Sequence, residues 1–223
     1  MEVNGVVEDV TADGLVDELV ALVRRCGSGR MVVGLVGAPG AGKSTLARAL
    51  VDGVGGVLGP GVAAYVPMDG FHLSNEQLAR IGWLERKGAP QTFDAWGYAA
   101  LLGRLVSEPG HDVFVPDYDR VVDQPIAARH VVAPSVRLVV AEGNYLAVDA
   151  PEWRAVRRHL DLLWYVDAPD EVREQRLFAR QRAGGRDAAA ARDWVERSDR
   201  PNGEVVKGTA GRCDRVLRVR AIG

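Results

Sequence analysis

A single glycine-rich segment, residues 37–44 (GAPGAGKS), restricts the choice of fold more than anything else in this chain, because it fits G-x-x-x-x-G-K-[ST] in full. An apolar run at residues 30–36 precedes it, and a helical pattern at residues 44–51 follows it. Several backbone N–H groups must approach triphosphate oxygens together, and glycine permits both that approach and the unusual dihedral angles. The start of the helix adds partial positive charge. The segment therefore predicts a strand, a phosphate-binding loop and a helix of an α/β fold.

The loop and the residue after it are predicted to bind a nucleoside triphosphate, for which ATP is the expected ligand. These residues are Gly37, Ala38, Pro39, Gly40, Ala41, Gly42, Lys43, Ser44 and Thr45. Lys43 can reach the β- and γ-phosphates and act in catalysis, and the Ser44 hydroxyl can ligate Mg²⁺. The alternative is a strand-to-helix turn that matches the pattern by chance, but lysine is very rare in this sequence, which makes a chance match uncommon.

The rest of the chain alternates between short apolar runs and helical patterns. Further strands are predicted at residues 62–66, 136–141, 162–166 and 216–219, and helices at residues 11–25, 96–106, 152–159, 170–182 and 188–197. Such alternation predicts a mostly parallel, five-stranded sheet covered by helices on both faces, the three-layer fold of P-loop NTPases. Residues 111–132 break the alternation and are predicted to form a small β flap outside the sheet.

Size and composition narrow the class of protein. The 223 residues suit one domain, residues 1–223, and the net charge of −2 gives no reason to expect nucleic acid or an anionic membrane as a partner. The acidic N-terminus lacks the basic region of a signal peptide, and the apolar runs are too short to cross a bilayer. Cys26 and Cys213 are expected to be buried, reduced thiols. We therefore expect a cytoplasmic protein; the oligomeric state stays open, with a homodimer among the alternatives.

Two carboxylates follow predicted strands directly. Asp69 comes after residues 62–66, and Glu142 comes after residues 138–141. In an open parallel sheet, ligands collect at the carboxyl ends of the strands. Either side chain can bind Mg²⁺ or accept a proton from an attacking hydroxyl, and the alternative for each is a carboxylate that caps a turn.

Several motifs resemble those of the uridine kinase, phosphoribulokinase and bacterial-type pantothenate kinase group, especially its bacterial nucleoside or nucleotide kinase-like branch. They occur in that group's order at residues 69–78 (DGFHLSNEQL), 86–94 (RKGAPQTFD), 115–120 (VPDYDR) and 139–146 (VVAEGNYL). The resemblance covers roughly residues 31–186. It implies an ATP- and Mg²⁺-dependent kinase that transfers the γ-phosphate to a hydroxyl of a small molecule.

The resemblance also implies roles for individual residues. Asp69 would be the general base, and Glu142 would lie near Mg²⁺. Residues 170–200 would form a helical lid, in which Arg176 and Arg180 would act in catalysis and Arg182 would bind the nucleotide. Guanidinium groups stabilise the charge that spreads over the γ-phosphoryl oxygens in the transition state. The alternative is a solvated basic helix face.

The acceptor-binding residues implied by the resemblance are His72, Asp94, Tyr118 and Arg120. Asp94 would hold a ribose, although it could equally cap the helix that follows. His72 would contact the acceptor or hydrogen-bond within its turn. Tyr118 fits the nucleoside kinases, whereas Arg120 replaces their second aromatic residue and suits a carboxylate or phosphate. A nucleoside-like acceptor is the first expectation, a carboxylate-bearing alcohol such as pantothenate or glycerate the second, and a free sugar the third.

Two other classes of nucleotide-binding protein compete with this interpretation. A GTP-hydrolysing switch usually selects guanine through an Asn-Lys-x-Asp segment, and the sequence has none. An ATPase or nucleotide sensor without a small acceptor would not need the Asp69 motif, Asp94 or a flap. The choice between ATP and GTP stays open.

Overall fold

The computed structural model describes residues 6–27 and 29–220; the predicted domain also includes residues 1–5, 28 and 221–223, which lie outside the described residues. The strands are β1 (Val7–Val10), β2 (Met31–Val36), β3 (Ala63–Pro67), β4 (Val113–Asp119), β5 (Gln124–Val132), β6 (Leu138–Gly143), β7 (Leu162–Asp167) and β8 (Arg215–Val219). The α-helices are α1 (Ala12–Arg25), α2 (Lys43–Leu58), α3 (Asn75–Arg80), α4 (Ala95–Ser107), α5 (Pro151–Arg157), α6 (Asp170–Ala183), α7 (Ala188–Trp194) and α8 (Arg200–Lys207).

The main sheet has six parallel strands in the order β1-β8-β7-β2-β6-β3. The predicted α/β fold is confirmed, but the expected count of five strands is one too low, because β1 was not predicted. Its sequence, VEDV, carries two carboxylates, and it pairs only with β8 at the sheet edge. Such a strand has almost no hydrophobic signal of its own.

Each face of the sheet buries its own apolar cluster, because successive side chains of a strand point to opposite faces. On one face, Val32 and Val36 of β2 pack with side chains from α4 and α5. On the other face, Val33 and Leu35 pack with side chains from α1 and α2. The central strands are therefore apolar on both sides, as in other buried parallel sheets.

Helix α2 is longer than the predicted residues 44–51. Its sequence contains Gly53, Gly55 and Gly56, which favour an early end of the helix. A Cβ at Gly53 would lie 2.5 Å from a methyl carbon of Val16, so this glycine lets α1 and α2 pack closely. Tertiary packing therefore overrides the weak local propensity.

The predicted flap is confirmed as an antiparallel hairpin of β4 and β5, which we call the flap. Both cysteines are free thiols, but Cys26 is exposed rather than buried as expected. Among the described residues, no helix combines the length and the apolar character needed to cross a membrane.

Candidate active site

The phosphate-binding loop lies at the carboxyl edge of the sheet, between the end of β2 and the start of α2. Gly42 precedes the first helical residue with φ +97°, and Gly40 has φ +79°. A Cβ at Gly40 would lie 2.8 Å from the carbonyl oxygen of Arg173 in α6. The sequence therefore needs glycine here both for the left-handed backbone and for the close packing of α6 on the loop.

Lys43 is only 7% exposed, and its ammonium group lies among hydrogen-bond acceptors. The Nζ atom donates to Asn144 Oδ1 at 2.7 Å and to the Ala38 carbonyl at 3.3 Å. Burial lowers the pKa of Lys43, while the charges of Glu142 and Asp69 oppose that effect. The loop thus holds a buried cation beside two carboxylates before any ligand is bound.

Glu142, at the end of β6, is 3% exposed and forms a small polar cluster with two hydroxyl groups. Its Oε1 accepts hydrogen bonds from Ser44 Oγ at 3.1 Å and from the Tyr65 hydroxyl at 2.8 Å. Burial raises the pKa of Glu142, and the nearby Asp69 raises it further.

This cluster fits Mg²⁺ chemically. Within residues 6–27 and 29–220, no group of three or more His, Cys, Asp or Glu side chains could hold a metal by itself. Magnesium bound with nucleotides usually takes only one or two protein carboxylates and completes its shell with phosphate and water oxygens. One buried carboxylate beside one hydroxyl on the phosphate-binding loop is that kind of donor set.

Asp69 lies on the short 3₁₀ turn Met68–Phe71 that follows β3. Pro67, the last residue of β3, is paired with Glu142 in the sheet ladder, so both carboxylates lie at the same edge. Asp69 is 27% exposed, and its Oδ2 is 3.4 Å from Nη2 of Arg120 on the flap. Burial alone would raise the pKa of Asp69, but the His72 imidazole and the charges of Arg120, Lys43 and Arg180 outweigh it and hold that pKa below its usual value. Asp69 is therefore ionised at neutral pH.

His72 packs between two aromatic rings, with its ring centroid 4.0 Å from that of Phe93 and 4.6 Å from that of Tyr118. Its Nδ1 is 2.8 Å from the carbonyl oxygen of Asp69, and burial lowers the pKa of its imidazole. The Tyr118 hydroxyl donates to Asp123 Oδ1 at 2.6 Å. Three of the predicted acceptor residues, His72, Tyr118 and Arg120, therefore lie around Asp69.

Asp94 is exposed and caps α4, since its Oδ1 accepts a hydrogen bond from the Gly97 N–H at 2.8 Å. Its own N–H donates to the carbonyl of Phe71, which is adjacent to His72. The capping alternative from the sequence is thus realised, while its role in binding an acceptor stays a prediction.

The arginines of the lid contact different groups, depending on their position along α6. Arg176 Nη1 donates to the carbonyl of Gly40 at 3.1 Å, and Arg180 lies one turn further along the same face. The Arg180 guanidinium is 3.6 Å from Asp199 Oδ1, and burial lowers its pKa, as does the charge of Arg120. Arg182 points elsewhere: among the described residues, its hydrogen-bond partner is the Arg186 carbonyl at 2.8 Å rather than any group of the loop.

Several side chains of the site were not assigned roles from the sequence: Tyr65, Lys87, Asn144, Arg173 and Asp199. Arg173 is 5% exposed and links α6 to the loop, since Nη1 donates to the Pro39 carbonyl at 3.2 Å. The spacing i, i+3, i+7 of Arg173, Arg176 and Arg180 is a signal that could have identified it. Asp199 ends a five-residue π-helix, Val195–Asp199, and no sequence pattern marks it.

A cavity of about 590 Å³ adjoins the loop at Ala38. It lies beyond the carboxyl ends of β7 and β8, and Arg173, Lys207 and Arg218 are among its lining residues. Lys207 donates to Asp170 Oδ2 at 2.6 Å and to Glu204 Oε1 at 2.8 Å. The phosphate-binding loop is therefore open on one side to a cavity and on the other to Asp69 and the flap.

Known proteins share both the sequence and the fold. The model of the Phosphoribulokinase / Uridine kinase family matches residues 32–219. "Putative uridine kinase C227.14" of Schizosaccharomyces pombe is 31% identical over 175 residues, which cover 77% of this chain and 74% of that protein. "Uncharacterized protein YggC" of Escherichia coli is 37% identical over 185 residues, which cover 79% and 73%.

Solved structures agree. The "putative fructose transport system kinase" from Silicibacter sp. TM1040 superposes with a TM-score of 0.83 at 35% identity and covers 94% of this chain and 98% of its own. YFH7 from Saccharomyces cerevisiae has a TM-score of 0.82 at 20% identity, which supports the fold alone. The family model matches most of the chain, the phosphate-binding loop is complete, and two carboxylates lie at the same edge of the sheet as the loop. This protein therefore belongs to the phosphoribulokinase / uridine kinase family of P-loop kinases.

Proposed function

We propose that the protein catalyses Mg²⁺-dependent transfer of the γ-phosphate of ATP to a hydroxyl group of a small-molecule acceptor. The observation that carries this proposal is the position of Asp69. It is an ionised carboxylate at the same sheet edge as the loop, close enough to Lys43 for each to shift the pKa of the other. An ATPase or nucleotide sensor needs no such base beside a flap.

Each group has a defined task in this reaction. The backbone N–H groups of the loop and Lys43 bind the phosphates, while Arg176 and Arg180 stabilise the charge on the transferred group. Ser44 and Glu142 would hold Mg²⁺, which neutralises phosphate charge when bound. Asp69 accepts the proton of the acceptor hydroxyl as its oxygen attacks the γ-phosphorus and ADP leaves. The cavity of about 590 Å³ beside Ala38 is large enough for the nucleotide base.

The identity of the acceptor stays a prediction. A nucleoside-like alcohol remains the first expectation, and the name of the S. pombe relative supports it. The name of the Silicibacter structure supports a sugar instead, and Arg120 supports a carboxylate-bearing alcohol such as pantothenate or glycerate. All of these acceptors use the same base and the same loop.

The test is Asp69→Asn, which removes the base and keeps the size of the side chain. We expect turnover with an acceptor to fall by roughly 10³-fold, the usual contribution of a general base, while the affinity for ATP stays within a few-fold. Phosphorylated acceptor would be measured by mass spectrometry and ATP binding by calorimetry. Turnover at the parental rate would contradict the role of Asp69. ATP hydrolysis that no acceptor stimulates would favour the ATPase alternative.

A further inference from the structure

Two guanidinium groups approach the acceptor side of Asp69 from different elements, and both have donors to spare. Arg120, at the turn of the flap, is 54% exposed, and its Nη2 makes one long contact of 3.4 Å with Asp69. Arg180, on α6, is 38% exposed and lies 3.6 Å from Asp199, beyond normal hydrogen-bond length. A guanidinium carries five N–H donors, so most of them are unused here.

Two other cations near the site, Lys87 and Arg173, are occupied. Lys87 is 9% exposed and donates to Asn75 Oδ1 at 2.6 Å and to the carbonyl and carboxylate of Asp123 at 2.5 and 3.0 Å. Arg173 donates to Pro39 and to Asp170 Oδ1, the latter at 2.6 Å. Lys87 fixes the turn of the flap and Arg173 fixes the loop, so neither is free to bind a ligand. On the flap, Arg120 is the exposed cation with donors that a ligand can reach.

Two guanidinium groups that face one site repel each other, and nearby anions offset that repulsion. The charge of Arg120 adds to burial in lowering the pKa of Arg180. Asp69 and Asp199 offset part of this repulsion. An anionic group on the acceptor would offset the rest, because the unused N–H donors of Arg120 can bind it while the contact with Asp69 remains.

We propose that the acceptor carries an anionic group, a carboxylate or a phosphate, that binds Arg120 while its hydroxyl binds Asp69. This inference rests on the proposed function. Arg180 is then left for the transferred phosphoryl group, so that each guanidinium meets one anion. In the reaction, the acceptor oxygen bonds to the γ-phosphorus, and the bond from that phosphorus to the bridging oxygen of ADP breaks. The hydroxyl proton passes to Asp69.

The unused donors of Arg120 also give the site a way to favour anionic acceptors over neutral alcohols. A carboxylate or phosphate can accept two N–H bonds from the guanidinium, whereas a neutral alcohol leaves those donors without a charged partner. Discrimination by a charge-assisted, bidentate contact of this kind is commonly worth roughly 10- to 100-fold in kcat/KM.

The experiment uses matched pairs that differ in the anionic group: glycerate and glycerol, pantothenate and panthenol, ribose 5-phosphate and ribose, and uridine 5′-monophosphate and uridine. A small-molecule extract of bacterial cells is a ninth sample. Each is incubated with ATP, Mg²⁺ and either the parental protein or Asp69→Asn, and mass spectrometry identifies products that depend on Asp69. We expect every such product to carry an anionic group besides the new phosphate.

Arg120→Gln then tests the residue itself. It should raise KM for the anionic acceptor by roughly 10- to 100-fold with a smaller change in kcat, and Arg120→Lys should recover part of the loss because it restores the charge without the fork. Arg104 lies on α4 and forms an exposed ion pair with Glu108, far from the proposed acceptor contact. Arg104→Gln is therefore the matched control and should leave kcat and KM unchanged.

The outcomes separate the two proposals. Products from glycerol, panthenol, ribose or uridine at rates similar to their anionic partners would overturn the inference and leave the kinase function intact. An equal fall of kcat for all acceptors in Arg120→Gln, with KM unchanged, would also overturn it, since Arg120 would then act on the transferred group. If no sample gains a phosphate in a manner that depends on Asp69, the proposed function itself is wrong.

Discussion

On the nucleotide side of the cleft, nine consecutive residues provide the loop, the lysine and the hydroxyl. On the acceptor side, the groups around Asp69 come from four separate parts of the chain: the turn after β3, the flap, α6 and the π-helix. The contacts differ in the same way. Lys43 and Ser44 already donate to Asn144 and Glu142 at 2.7 and 3.1 Å, whereas Arg120 and Arg180 stand 3.4 and 3.6 Å from their carboxylates.

This difference indicates how the two sides work. On the nucleotide side the polar groups hydrogen-bond to one another, and α6 packs directly on the loop at Gly40. On the acceptor side the arginines make only long contacts, and the flap places Arg120 beside Asp69. Affinity for ATP should therefore depend on the first side alone, and the choice of acceptor on the second.

Lys43→Ala should have the largest effect on the nucleotide side. It removes a buried cation that no neighbouring side chain replaces, so both ATP affinity and turnover should fall, the latter by roughly 10²- to 10³-fold for every acceptor. Calorimetry with ATP and steady-state kinetics would measure the two effects. Because Lys43 is buried, thermal melting must show that the variant folds. Unaltered catalysis would contradict the separation of roles between the two sides.

Gly70→Ala tests the acceptor side through its packing. A Cβ at Gly70 would lie 2.3 Å from the carbonyl oxygen of Pro116 in β4, so the flap must move away from the turn that carries Asp69. We expect turnover to fall roughly 10- to 100-fold, as for a misplaced catalytic group, with ATP affinity unchanged. A variant that weakens ATP binding as much as turnover would show that the two sides are not independent.

Gly56→Ala is the matched control for this substitution. Gly56 is exposed in α2, and a Cβ there would meet nothing within 4 Å. Alanine is favoured over glycine inside a helix, by roughly 0.5–1 kcal/mol, so melting temperature should rise slightly and kinetics should not change.

The same contrast explains what the sequence could predict. The loop, most of the helices and strands and the carboxylates at the strand ends were predictable, because each depends on contiguous residues or on a simple period. The exceptions are β1, α3 and α8, which were not predicted. Arg173, Tyr65 and Asp199 were not assigned, because their roles depend on where distant elements meet. Tyr65, for example, lies on β3 and reaches Glu142 on β6 only because these strands are neighbours in the sheet.

Arg182 shows the limit of an argument from composition. A cluster of arginines on one predicted helix indicates that some face the site, but the cluster does not say which. Arg180 and Arg182 are two residues apart, about 200° around a helix of 3.6 residues per turn, so they cannot share a face. Helical geometry, applied to Arg173 and Arg176 as anchors, would have placed Arg180 on their face of α6 and Arg182 away from it. The role of Arg182 in nucleotide binding stays a prediction.

Tyr65→Phe should have a modest effect, confined to the Mg²⁺ dependence of the reaction rate. It removes the hydroxyl that donates to Glu142 Oε1 and keeps the ring, which packs edge-on against His130 with centroids 5.4 Å apart. Loss of one such bond is worth about 1 kcal/mol, so we expect roughly a 5-fold rise in the Mg²⁺ concentration for half-maximal rate. The rate at saturating Mg²⁺ should be unchanged. An unaltered Mg²⁺ dependence would mean that Tyr65 does not position Glu142.

Asp170→Asn should have the smallest effect, and its pH dependence identifies the cause. The hydrogen bond from Lys207 lowers the pKa of Asp170, burial opposes that effect, and Arg173 lowers the pKa further. Because the folded-state pKa is depressed, the carboxylate stabilises the fold at neutral pH, and this contribution disappears as pH falls below about 3.8 through the folded-state value.

The Asp170 side chain is 51% exposed, but its partners Arg173 and Lys207 are only 6% and 8% exposed, so water screens these ion pairs only in part. Asp170→Asn should therefore lower the melting temperature at pH 7 by roughly 2–4 °C. That difference should shrink as pH falls below about 3.8. Turnover should change by less than about 2-fold. The reason is that Arg173 keeps its hydrogen bond to the Pro39 carbonyl, which does not depend on the charge of Asp170. A large loss of ATP affinity would show instead that the loop depends on the half-exposed Asp170 carboxylate, and the nucleotide side would then be as adjustable as the acceptor side.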